Sequence, residues 1–212
     1  MTGLSRMAIL GVSFSWVLQA YADIDMSFLV KVNPANNPDC VEYYNYKGDM
    51  YCSTSPKNPP AKINPQIRHY ETQAITFDDR PWQAAWGNKT DVITTVEYVP
   101  AGEDIEHWNE LITSQFIPGI QDKIIPKQFM EGIIEDLTKE YKPVINIIEQ
   151  QPHQVLFEFR ILAPSNMQQD ELQLITQGKK GFYVLHYVIK KSDMGDENRQ
   201  KWIQLLKKSK IN

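Results

Sequence analysis

Asp78-Asp79-Arg80, followed by Trp82 and Trp86, is the densest polar and aromatic cluster in this 212-residue chain. Carboxylates beside indoles suit a sugar or peptide site, and paired carboxylates are the machinery of glycoside hydrolysis. Adjacent residues of an extended chain point to opposite faces, which argues against Asp78 and Asp79 acting as one acid–base pair. Two tryptophans near a loop either close a core or supply an interface, where aromatic and arginine side chains dominate the binding energy. Asp79, Arg80, Trp82 and Trp86 are therefore the expected binding residues.

His186 sits in the apolar run Phe182–Ile189. A histidine perturbed by burial is a site candidate, and a core histidine with a hydrogen-bond partner is the plainer account. Glu158 and Arg160 lie two apart and share a strand face. They could frame a small anion site with His186 if their strands pair, or form a surface ion pair. An acid–base site of Asp79, Glu158 and His186 would make the chain a hydrolase, provided the three converge in one cleft. Glu103, His107 and Glu110 recur at helical spacing, which gives a divalent-metal site, an acid–base site or a solvated polar face. The four histidines form no H-E-x-x-H. The chain after residue 22 holds no G-x-S-x-G and no Gly-rich phosphate loop. No metal and no cofactor is implied. Asn88-Lys89-Thr90 is a formal glycosylation sequon.

The elements that must position these groups begin after a leader. Arg6 supplies a positive start, Met7 to Ala20 carry no charge, and Ala20-Tyr21-Ala22 is an A-x-A cleavage signal. This is the three-part pattern of a secretory signal peptide, so residues 1–22 are expected to be removed and the mature chain to start at Asp23. The apolar run is shorter than the roughly 20 residues a bilayer span needs, and no later segment is apolar enough to span a membrane. Loss of Arg6 with the leader takes the formal net charge from −4 to −5. An acidic chain with no basic tract is a poor partner for nucleic acid, where affinity rests on neutralising phosphates. Cys40 and Cys52 are the only cysteines. An even pair in an exported chain favours a disulfide, and two cysteines without a nearby histidine do not complete a metal shell.

Residues 23–66 read as an extension: a short strand near Phe28–Val32, a hairpin closed by Cys40–Cys52, and a Pro-rich linker. The main domain is expected over 67–212. Ala74–Phe77, Val92–Val99, Val144–Ile148, Val155–Ile161, Leu172–Thr176 and Phe182–Ile189 read as strands, and Trp82–Gly87 is ambiguous. Ile105, Trp108, Leu111, Ile112 and Phe116 recur at three- and four-residue steps, which predicts a helix over 105–117. A second helix starts at Pro126, and a third carries Trp202, Leu205 and Leu206. Strands that cluster rather than alternate with helices predict an α+β domain, an antiparallel sheet flanked by helices.

Thr94-Thr-Val-Glu-Tyr-Val-Pro-Ala-Gly102, then Glu103-Asp-Ile-Glu-His-Trp108 and Leu111–Phe116, resembles the PsbP-like group of α/β/α-sandwich domains, in which a strand ends in a Pro-Gly turn and leads into a Trp-bearing helix. The resemblance implies a non-catalytic accessory or interaction domain, by analogy of fold. The expectation is an exported, periplasmic or secreted binding protein with a protein partner. The alternative is the hydrolase built on Asp79, Glu158 and His186.

Overall fold

The computed structural model describes residues 29–32, 40, 42–53 and 65–211. The expected leader and all of the expected linker Ser53–Pro65 except its two end residues lie outside them. In chain order the strands are β1 (Val30–Lys31), β2 (Glu42–Tyr46), β3 (Asp49–Ser53), β4 (Gln73–Ala74), β5 (Trp82–Lys89), β6 (Thr94–Pro100), β7 (Glu110–Pro118), β8 (Val144–Gln151), β9 (Gln154–Ile161), β10 (Gln169–Gln177), β11 (Gly181–Ile189) and β12 (Lys210–Ile211). The helices are α1 (Pro126–Glu140) and α2 (Asp196–Lys208). Ten strands form one antiparallel sheet in the order β1-β3-β2-β5-β6-β7-β11-β10-β9-β8, and β12 pairs with β4 separately. The fold is dominated by this sheet.

β11 fixes the arrangement. Its residues are apolar on both sides, and all are buried except His186. A strand of this kind needs cover on two faces. On one face Trp82, Ile112, Leu172, Leu185 and Tyr187 pack with Trp202, Ile203 and Leu206 of α2. On the other, Val155, Phe157, Ile175, Phe182 and Val184 pack with Met130, Phe129, Ile133 and Leu137 of α1. α1 starts at Pro126, whose missing N–H costs nothing at that position. Trp202 stacks on Tyr187 at 4.0 Å between ring centroids and meets Trp82 edge-on at 5.6 Å.

The hairpin is present, with Lys47 and Gly48 both at positive φ in its turn. A Cys40–Cys52 disulfide closes it, as expected of a chain in an oxidising environment. β2 also pairs with β5 through Tyr44–Gln83 and Asn45–Trp82, so the hairpin extends the main sheet.

The helix expected over 105–117 is a correction. Residues 105–107 form one 3-10 turn and Glu110–Pro118 is strand β7. Leu111, Ile112, Thr113 and Ser114 are all buried, because β7 lies between β6 and β11 with both faces covered. A continuous apolar run of this kind satisfies a helical spacing by accident, and β-branched Ile112, Thr113 and Ile117 favour the strand. Trp108 thus precedes a strand, which departs from the segment that carried the PsbP-like resemblance. Trp82–Gly87 resolves as part of β5, and of the strand expected at Ala74–Phe77 only Ala74 is paired, in β4.

Trp202 is fully buried. Trp202→Ala should cost about 3–5 kcal/mol, read as a lower urea midpoint with an unchanged slope. A loss under about 1 kcal/mol would contradict the packing described.

Candidate functional site

Arg80 is held in a closed cluster. Its guanidinium donates to both carboxylate oxygens of Glu110 (3.0 and 2.7 Å) and from Nε to Asp78 (2.9 Å). Asp78 also accepts from Trp82 Nε1 at 2.9 Å and Lys201 Nζ at 3.1 Å. Burial would raise the Asp78 carboxyl, but Arg80 and Trp82 hold it below its ordinary value. Glu110 accepts from the Tyr187 hydroxyl, which in turn accepts from Asn198. This network ties β5, β7, β11 and α2 together around Trp82, which is fully buried. Asp79 is exposed beside it. Of the four expected binding residues, Arg80 and Trp82 therefore meet in a structural cluster, whereas Trp86 stands apart.

Asp79, Glu158 and His186 do not form an acid–base site. Glu158 lies opposite Leu172, and Leu172 opposite Tyr187, so Glu158 shares the α2 face with them. His186 is the next residue before Tyr187 and points to the other face. β9 and β11 are separated by β10, so Glu158, Arg160 and His186 frame no common site either. The metal alternative at Glu103, His107 and Glu110 falls with the helix that would have aligned them. Among the described residues, no group of three His, Cys, Asp or Glu is placed to hold a metal ion.

Glu158 instead accepts from Arg199 Nε at 2.6 Å and from Asn146 at 3.2 Å. Arg199 also reaches Asp170 (3.2 Å), Asp193 (2.8 Å) and Asp196 (2.7 Å), while Arg160 pairs with Asp193. Asp170 is 0 % exposed. Its Oδ2 accepts the Met194 N–H at 2.7 Å, and its Oδ1 has no partner. One guanidinium thus fastens α2 and the loop before it to β9 and β10.

The opposite face holds a different arrangement. Trp86 lies across from Glu97, Glu97 from Thr113, Thr113 from His186, His186 from Gln173, and Gln173 from Phe157. Directly opposed residues have Cβ atoms about 5 Å apart on one face, so these six side chains form a row across six strands. A bulge between Ala84 and Trp86 creates its outer end. Without it, Trp86 would follow Trp82 and Ala84 onto the α2 face. The extra residue gives that face Gly87, where a Cβ would lie 3.0 Å from Ile67 Cγ2, and turns Trp86 outward. Bulges re-aim side chains in this way.

Phe157, at one end of the row, is buried with the α1 cluster. Trp86, at the other, is 43 % exposed. Between them, one ring nitrogen of His186 lies 2.7 Å from Glu171 Oε1 and the other 3.2 Å from Gln115 Oε1. Glu171 also accepts from Gln173 Nε2 (2.7 Å) and Gln169 Nε2 (3.1 Å). Gln173 is only 4 % exposed, and its Oε1 has no partner. Glu97 makes no hydrogen bond or ion pair with a described residue. Burial raises its carboxyl above the ordinary value, against a smaller opposing effect of His186. The row contains acceptors, an indole and no lysine or arginine. Among the described residues it shows no nucleophile hydrogen-bonded to a base.

Of this row and the residues flanking it, sequence reasoning found Trp86 and His186 and missed Glu97, Thr113 and Gln173 in the row and Gln115 and Glu171 beside it. Their one signal is polarity at isolated positions inside apolar strands. The register that aligns them is not written in any one strand.

A protein-family model matches residues 71–212. The chain belongs to that family. The matched span contains both helices, β4 through β12 and every member of the row. Among curated proteins no match was found.

Asp170 gives the Arg199 cluster on the α2 face a pH test. Burial, then the neighbouring Glu158 carboxylate, pushes its carboxyl up to about 7. A raised pKa means that the folded state binds the proton more tightly, so stability falls as pH rises from the ordinary aspartate range toward 7. Asp170→Asn should flatten that part of the urea-stability profile. An unchanged slope would contradict it.

Proposed function

We propose that this chain is an exported, non-enzymatic accessory protein that binds another protein, and that the row from Trp86 to Gln173 is its contact surface. The observation that carries the reading is the open end of that row. An indole turned outward by a bulge, beside a carboxylate with no hydrogen bond to a described residue, contributes nothing evident to packing. Exposed aromatic side chains beside polar ones suit interface anchors. In this reading residues 1–22 are a cleaved signal peptide, the mature chain begins at Asp23, and the protein works in the periplasm or outside the cell. The disulfide supports that location, because such bonds persist in oxidising compartments. Our reading of the architecture is an α/β/α sandwich of the PsbP-like kind, supported by one helix packed on each face and weakened by β7 at 110–118.

Trp86→benzoylphenylalanine, installed in the exported full-length protein and irradiated in intact cells, tests the surface. The expected result is a discrete adduct of higher mass that is absent when the same probe replaces Val92, which is 70 % exposed in a turn. Equal labelling from both positions, or no adduct at 86, would overturn the reading.

A further inference from the structure

We infer that the Trp86–Glu97 end of the row is a recognition site for a basic side chain, a lysine ammonium or arginine guanidinium presented by the partner. This deepens the contact surface proposed above and rests on it.

Three observations converge. Glu97 is a half-buried carboxylate that neither donates nor accepts a hydrogen bond among the described residues. A buried charge is normally paired or hydrogen-bonded, because desolvation is otherwise uncompensated. Directly across from it, Trp86 presents an exposed indole. A cation seated over an indole face gains from the ring quadrupole, and a carboxylate beside it supplies the charge-assisted hydrogen bond. Farther along the same row, Gln173 Oε1 is a deeply buried acceptor with no donor. Glu97 and that carbonyl oxygen lack donors among the described residues, whereas Glu171 is already served by His186, Gln169 and Gln173. The row and its two flanking ranks (Asn88, Thr95, Gln115, Val184 on one side, Val99, Leu111, Val188, Glu171 on the other) supply no lysine or arginine. The site is thus complementary to a lysine or arginine that the row and its flanks do not provide; His186 acts on Glu97 only across Thr113 and is itself held by Glu171 and Gln115.

Chemistry also orders the competing ligands. A neutral glycan would use the indole and the amides but would leave Glu97 unneutralised. An anion would meet Glu97 and, in the flanking rank, Glu171, with His186 as the row's one basic side chain, already held by Glu171 and Gln115. The basic side chain satisfies both the ring and the carboxylate.

The test titrates hexalysine peptide into the oxidised protein by calorimetry at low and moderate salt, with hexaglutamate and chitohexaose as comparison probes. Hexalysine should bind saturably. Glu97→Gln, which keeps the shape and removes the charge, should weaken it about tenfold, and Trp86→Ala by a comparable factor. Asp79→Asn removes the same charge from an exposed position off the row and should change the affinity less than about twofold. Near-ultraviolet circular dichroism of each variant should overlay the parent. No saturable binding of hexalysine, equal weakening by Asp79→Asn, or tighter binding of chitohexaose would overturn the inference. A folded Glu97→Gln that binds as the parent does would overturn it as well. Adduct formation at position 86 without hexalysine binding would leave the partner surface standing and remove only its basic specificity. Failure of both would remove the surface itself.

Discussion

Strand β11 must be covered on both faces, and the rest of the structure depends on that requirement. Phe182, Val184 and Val188 turn to one side, Leu185, Tyr187 and Ile189 to the other, and all are buried. One helix cannot serve both sides of a strand. α2 takes the tyrosine side, through Trp202, Ile203 and Leu206. α1 takes the phenylalanine side, through Met130 and its neighbours. The second cover is incomplete. His186 is the one position of β11 that remains partly open, and the polar row crosses the sheet at that gap. Site and core are therefore two consequences of the same strand.

The α2 side is closed by charge as well as by packing. Arg80 binds Asp78 and Glu110 at one end, and Arg199 gathers Glu158, Asp170, Asp193 and Asp196 at the other. Arg199 with Glu158 and Asp170 is largely removed from water, Arg80 is half-buried, and in both places a forked donor suits several carboxylates at once. Buried ion pairs of this kind give modest net stability but are costly to break, because a lost partner leaves a charge uncompensated. They fix where α2 sits. No comparable clamp involves Glu97 on the opposite face, and that asymmetry separates a structural cluster from a surface still able to pair.

Much of the architecture was legible in the chain. Pro126 and the apolar stripe from Phe129 to Leu137 announce α1, and the run from Phe182 to Ile189 announces a central strand. The cysteine spacing announces the hairpin. β7 was not legible, since Leu111, Ile112 and Phe116 satisfy a helical period as readily as a fully buried strand does. The site was legible only in pieces. Trp86 stood out by type, but Trp82 stood out equally and belongs to the core. What separates them is one extra residue in β5, and a bulge has no reliable signature in a single sequence. Glu97, Thr113 and Gln173 come together through pairings between distant strands, which local periodicity does not encode.

The bulge that turns Trp86 toward Glu97 is the feature on which the surface depends. Side-chain nuclear Overhauser contacts of the Trp86 indole test it most directly. The account predicts contacts from the ring to the Glu97 side chain and none to Ile67 or Tyr98. Contacts to Ile67 or Tyr98 in place of Glu97 would put Trp86 on the α2 face and contradict it.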